Sequence, residues 1–213
     1  MHLFDSHTHN AKSQFLGIKQ LELENETPDY LFSIGIHPKD SSHFEYHIEE
    51  LREMLITKCK SKNCLAIGEI GLDTRYENPE AQEKLFVLQL QIAQQLQKPI
   101  ILHSVNSIDR ILILHKKYSP DCPIIYHGFN KTSALNRIID HPNLFFSIGE
   151  SILSNSSLQE AVKTIPLQQL FLETDTSSIQ LNSIYEEVAK IKSIPLHQLI
   201  EEIYENAKRV FKL

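Results

Sequence analysis

The chain has 213 residues, of which 41% are hydrophobic and 23% charged, with 9 Pro, 6 Gly, no Trp and 11 His. Ordinary charged and apolar fractions exclude a disordered, collagenous or low-complexity chain, and no apolar run approaches the roughly 18 residues a membrane span needs. A net charge of −6, from 21 basic and 27 acidic residues, opposes non-specific nucleic-acid binding, so a nucleic-acid substrate needs local cations, which metal ions can supply.

In chain order, short β-rich runs alternate with helix-like stretches. The runs are residues 2–9, 15–23, 30–38, 64–73, 99–104, 123–129, 144–150 and 170–175. Several are continuously apolar, as parallel strands covered on both faces are. Between them, helices are predicted over 43–59, 80–97, 107–118, 131–141, 157–165 and 183–193, with a closing amphipathic helix from about 196 to 211. The clearest is 80–97, where Leu85, Leu88, Ile92, Ala93 and Leu96 recur at helical spacing after an Asn78 cap and a first-turn Pro79.

Eight strands with alternating helices predict an α/β fold, a TIM-like (β/α)8 barrel formed as one domain over residues 1–213. A doubly wound sheet would want a glycine-rich phosphate turn, and neither GxGxxG nor GxxxxGK[ST] occurs. Only Asn10 to Gln14 separate the first two runs and Glu24 to Asp29 the next two, too few for crossover helices, so helical cover is reduced near the first strands.

Strand ends carry the chemistry. His7 and His9 close the first run, Glu69 lies late in the fourth, His103 ends the fifth, His127 lies near the end of the sixth, and Asp175 ends the eighth. Barrel active sites are built at the carboxyl ends of strands, so these six side chains are expected to converge as metal ligands. An HxH pair alone arises readily by chance in so histidine-rich a chain; the ordered set is the stronger signal, against the alternative of satisfied core or rim histidines. Four imidazoles and two carboxylates suit zinc or manganese, and magnesium where oxygens dominate. Six ligands suit two divalent ions, with Glu69 bridging and Asp175 serving as ligand and base to a metal-activated water. The expected reaction class is hydrolysis, with Asp175 and Glu69 as the catalytic carboxylates.

The same residues carry a family resemblance. Asp5-Ser-His-Thr-His9, Gly35-Ile-His-Pro38, Gly68-Glu-Ile-Gly-Leu-Asp73, Ile101-Leu-His103, His127-Gly-Phe129, Ser147-Ile-Gly149, Glu173-Thr-Asp175 and Glu205-Asn-Ala-Lys-Arg-Val-Phe211 resemble, in order and approximate spacing, the TatD family of metal-dependent deoxyribonucleases in the amidohydrolase superfamily. The resemblance implies a TIM-like barrel and magnesium- or manganese-assisted cleavage of DNA. It also implies one metal held by His7, His9, Glu69 and Asp175, and a second held by Glu69, His103 and His127. This chain departs from the pattern in a compressed segment before Gly35, in a short run Thr176 to Asn182 after Asp175, and in Val105, where family members often carry arginine. These departures border the site mouth and bear on substrate class.

Other residues have two readings each. His37 ends the third run and could contact a substrate phosphate or order the turn before Pro38, while Lys39 and Arg75 could pair with phosphate or be solvated surface charges. Asp5 could orient an imidazole or be a strand-end carboxylate, and Glu173 suits a hydrogen-bonded structural role. Phe129 suits lining the mouth better than base stacking. His43 and His47 lack the glutamate of HExxH and read as a solvated face. Five glycines, Gly35, Gly68, Gly71, Gly128 and Gly149, fall in strand-end segments, and Gly17 does not.

Three cysteines, Cys59, Cys64 and Cys122, lack CxxC spacing, so neither a thiolate zinc site nor a disulfide framework is expected. With no export signal in the opening residues, a cytoplasmic address is expected. The leading function is a deoxyribonuclease acting on DNA, with a hydrolase of a small amide, ester or phosphoester as the alternative. A catalytically silent metal-binding scaffold is a third reading. No membrane and no protein partner are predicted.

Overall fold

The computed structural model describes residues 2–10, 15–44, 48–119 and 121–213. The part of the Asn10 to Gln14 link beyond Asn10, and His47, lie outside the described residues. Eight strands form one sheet in sequence order: β1 (Phe4–Thr8), β2 (Leu16–Leu21), β3 (Phe32–Ile34), β4 (Cys64–Asp73), β5 (Ile100–Val105), β6 (Ile124–Tyr126), β7 (Leu144–Ile148) and β8 (Leu170–Leu172). The registered pairs β1–β2, β3–β4, β4–β5 and β7–β8 are all parallel. The last strand segment returns to the first through His9 N donating to Asp175 O at 2.9 Å and Asp175 N to His7 O at 3.0 Å. This is the expected TIM-like barrel, an α/β fold.

Helices follow the predicted positions: α1 (Ser41–Phe44), α2 (Ile48–Cys59), α3 (Pro79–Leu96), α4 (Ile108–Tyr118), α5 (Thr132–Ile138), α6 (Ser156–Thr164), α7 (Leu181–Lys192) and α8 (Leu196–Phe211). Of the segment predicted as one helix over 43–59, the described residues are helical at His43 and Phe44 and over Ile48–Cys59, and 45–47 lie outside the described residues. Between β2 and β3, where every residue is described, there is no helix, as the short spacing requires. Among the described residues no helix is long and apolar enough to cross a membrane. All three cysteines are buried.

The chain divides into two compact units, Met1–Lys19 with Ile125–Leu213, and Gln20–Ile124. In the first, α8 packs on β1 and β8, and Phe4, Phe171 and Phe211 form an aromatic cluster with ring centroids 5.5–6.3 Å apart. Asn206 of α8 donates through Nδ2 to Leu167 O and Leu170 O, fixing the entry to β8. Tyr185 of α7 is buried, its hydroxyl donating to Phe4 O at 2.8 Å and accepting from Phe4 N at 3.1 Å.

In the second unit, α3 packs on β4 and on α2. Asn78 Oδ1 caps it by accepting from Ala81 N, and Leu85, Leu88, Ile92 and Ala93 are buried as the periodicity requires. The same buried face carries Gln82 and Gln89. Gln89 Oε1 accepts from Ile36 N and its Nε2 donates to Ile36 O, so a polar residue inside the core fixes the chain leaving β3.

Close strand approach explains two glycines. At Gly71 a Cβ would lie 1.7 Å from His103 O, so only glycine lets β5 come so near β4. Gly17, which the sequence left outside the strand-end pattern, has the same need: a Cβ there would lie 2.4 Å from Asp5 O.

Removing the Tyr185 hydroxyl leaves the amide of Phe4 short of a buried partner. Tyr185→Phe should therefore lower unfolding free energy by about 1–3 kcal/mol, read as a shifted urea midpoint with an unchanged slope.

Candidate metal centre

In the first unit the sequence ligands gather around Asp175. His7 is fully buried on β1, and His9 follows the strand. Their Nε2 atoms lie 3.7 and 3.6 Å from Asp175 Oδ1. His127 follows β6, its ring centroid 4.8 Å from that of His7. One ligand atom from each of His7, His127 and Asp175 lies within 4.8 Å of the others. Asp175 has φ +51°, a left-handed conformation that aspartate tolerates better than most residues.

Two buried carboxylates support this cluster. Glu173, 0% exposed, accepts hydrogen bonds from Gly128 N and Ser147 Oγ, and its Oε1 lies 3.5 Å from His127 Nδ1. Burial pushes its carboxyl up, yet His127 and Ser147 outweigh that and hold it below the ordinary value. The structural role expected for Glu173 is thus what its contacts describe, with one edge facing a candidate ligand. Asp5 differs from the expectation of an imidazole partner: its carboxylate accepts from Thr174 N and Thr174 Oγ1 at 3.1 and 2.7 Å. Burial pushes Asp5 up to about 7 against those hydrogen bonds. Strand alternation aims Asp5 to the same side as His7, but Thr174 meets both its oxygens.

In the second unit the centre is Glu69 on β4. Its Oε1 is 2.7 Å from His103 Nδ1 and 3.4 Å from His37 Nε2. The His37 and His103 rings are 4.4 Å apart, and ligand atoms of His37, Glu69 and His103 all lie within 4.8 Å of one another. His37, read from sequence as a substrate or turn residue, therefore joins the ligand-capable group. Its Nδ1 accepts from Lys39 N at 3.0 Å, which aims Nε2 at Glu69. Lys39 itself is exposed, on a cleft it shares with Glu22 and Glu24.

Sequence reasoning gave Asp73 no role. Its Oδ2 is 2.8 Å from His103 Nε2, and the Arg75 guanidinium binds both carboxylate oxygens. Burial works to raise the Asp73 carboxyl, but Arg75 and His103 outweigh it and hold it well below the usual carboxylate range. The available signal was alternation, since Glu69, Gly71 and Asp73 occupy one face of β4. Phe129 is 1% exposed and packs edge-on against Tyr126 and Phe146, and it lines a cavity together with Gly128 and Asp175, as expected of a lining residue. His43 is exposed on α1, as expected.

Nitrogen and oxygen donors with no sulfur, grouped in threes at strand ends, suit a divalent cation. A parallel barrel with such clusters defines a metal-dependent hydrolase. The chain belongs to the TatD related DNase family, whose model matches residues 4–212. It is 27% identical over 206 residues to an uncharacterized metal-dependent hydrolase, MJ1582, of Methanocaldococcus jannaschii, covering 92% of this chain and 80% of that protein. It is 30% identical over 172 residues to a protein of Rahnella sp. named a 3'-5' ssDNA/RNA exonuclease, covering 74% and 62%. The fold matches the crystal structure of the TatD homologue YJJV of Escherichia coli with a TM-score of 0.81, at 22% identity and over 99% and 98% of the two chains.

Glu173 is the sole carboxylate bound to Gly128 N in this arrangement, so Glu173→Ala should cost about 1–3 kcal/mol of stability. Glu173→Gln, which keeps an acceptor there, should cost less; the two urea midpoints check the order.

Proposed function

We propose that the protein is a deoxyribonuclease, hydrolysing phosphodiester bonds of DNA at a dinuclear metal site, in one domain over residues 1–213. On this reading His7, His9, Glu69 and Asp175 hold one divalent ion, and Glu69, His103 and His127 hold the other. Magnesium, manganese and zinc all suit this donor set. Such ions, when bound, lower the pKa of water and stabilise charge on the attacking and leaving oxygens.

The chain's own groups do the rest. Asp175, with its side chain 36% exposed, is open enough to orient a water and accept its proton as general base. Glu69 stays at the centre of its cluster, held by the two imidazoles on its Oε1. His37 and Lys39, in the segment that follows β3, contact the substrate phosphate. The guanidinium of Arg75, a third candidate for that contact, is engaged by Asp73.

One observation carries this reading: two all-nitrogen-and-oxygen clusters at strand ends, in a chain similar to a protein named a nuclease. Hydrolysis of a small amide, ester or phosphoester is the second reading, favoured by the net charge of −6. The protein acts in the cytoplasm on either reading.

Incubating the protein with single-stranded DNA, double-stranded DNA and RNA across magnesium, manganese and zinc tests the assignment. Metal-dependent DNA degradation is expected, with kcat reduced about 10²–10⁴-fold in Asp175→Ala and strongly reduced in His103→Ala, circular dichroism being preserved. Turnover of small esters without DNA cleavage selects the second reading. A protein that neither binds nor responds to any divalent ion would sink both.

A further inference from the structure

We propose that Arg75 is a positioning residue for His103, acting through Asp73, rather than a substrate contact. The inference rests on the reading of His103 as a metal ligand. Its local geometry stands apart from any substrate.

His103 has a carboxylate at each ring nitrogen: Nδ1 is 2.7 Å from Glu69 Oε1 and Nε2 is 2.8 Å from Asp73 Oδ2. A neutral imidazole that donates from Nε2 to Asp73 carries its lone pair on Nδ1, the nitrogen turned to Glu69. The Asp73 carboxylate holds the ring from behind so that Nδ1 faces Glu69, as a partner behind a metal-bound histidine does.

Asp73 in turn needs fixing, and Arg75 does it completely. Arg75 Nε lies 3.0 and 3.1 Å from Oδ1 and Oδ2, Nη2 lies 2.6 Å from Oδ2, and the Arg75 backbone N lies 2.8 Å from Oδ1. A planar fork on a carboxylate holds both distance and plane, which an ammonium cannot do. The side chain is 61% exposed, so its fixed pose comes from this fork and from the turn beneath it.

That turn is itself built. Buried Gln82 accepts from Asp73 N through Oε1 and donates through Nε2 to Asp73 O, Tyr76 O and Glu77 O. Ser107 Oγ donates to Leu72 O. The chain from Leu72 to Glu77 is pinned by Gln82 of α3 and by Ser107, just before α4, which presents Arg75 to the carboxylate two residues before it. A residue waiting for phosphate would instead point its fork outward.

The register offers an independent handle. Asp73 pairs with Val105 across β4 and β5, so side chains at 73 and 105 share a face. An arginine placed at 105 can reach the same carboxylate from the neighbouring strand.

The test uses the full chain, with manganese binding by calorimetry, ring-nitrogen NMR of His103 in metal-free protein, and steady-state hydrolysis. Arg75→Ala should weaken manganese binding about 10–100-fold, mix the His103 tautomers, and lower kcat with KM for the oligonucleotide nearly unchanged. Arg75→Lys should fall between, and Arg75→Ala/Val105→Arg should recover most of the affinity. A raised KM with wild-type manganese affinity and an unchanged His103 tautomer would overturn the proposal and return Arg75 to the substrate. If Arg75→Ala does not fold, Arg75→Lys and Arg75→Gln carry the same comparison. If wild-type protein binds manganese without cleaving DNA, the nuclease reading fails while the affinity and tautomer results still judge Arg75. If wild-type protein binds no metal, the tautomer alone decides, and an unchanged tautomer in Arg75→Ala overturns the proposal.

Discussion

Two backbone hydrogen bonds joining the end of the sheet to its beginning govern where half of the proposed ligands sit. His9 N donates to Asp175 O and Asp175 N to His7 O, so the Asp175 peptide is gripped on both edges by the strand that carries the two histidines. Its positive φ then turns the carboxylate toward their Nε2 atoms. The buried Asp5–Thr174 pair closes the same seam one residue earlier. Ligand geometry here is a by-product of sheet closure, because the bonds that complete the ladder also set the separation of the side chains. A site built this way is as rigid as the barrel it closes.

A second regularity is the carboxylate behind an imidazole. Asp73 stands behind His103, and Glu173 beside His127. Burying a carboxylate is expensive unless its oxygens are fully bonded, and each of these two solves the problem differently. Glu173 uses a glycine amide and a serine hydroxyl, both neutral donors available within the sheet. Asp73, at the last residue of β4, draws on a guanidinium reaching in from solvent. Both carboxylates sit at strand ends, Glu173 just past β8 and Asp73 closing β4, so neutral donors and a charge reach the same result.

Much of this was legible in the residues. Parallel strands covered on both faces are apolar throughout, so eight runs stood out without any alternation to count. Their lengths did not, because β3, β6 and β8 are only three residues each, and the remaining residues of those runs serve as strand-end turns. The helix predicted over 43–59 is helical wherever its residues are described. The six ligand candidates were visible as histidines and acids at run ends. Asp73 was less so: alternation puts it on the face of Glu69, but its contact with His103 depends on the β4–β5 register, and register between distant strands leaves no mark in a single chain. Gly17 was missed for the same reason: its need arises from Asp5 on a different strand.

The net charge of −6 acquires a more local meaning from these pairings. Two arginines are already neutralised, Arg75 by Asp73 and Arg110 by Glu83. Neither guanidinium adds an uncompensated positive field at the strand ends, and His37 and His103 both turn toward carboxylates. A phosphodiester approaching such a surface meets net negative charge unless divalent ions occupy the carboxylate and imidazole donors. On the proposed reaction, the ions would therefore attract the substrate as well as activate the water, with the exposed Lys39 adding to their field.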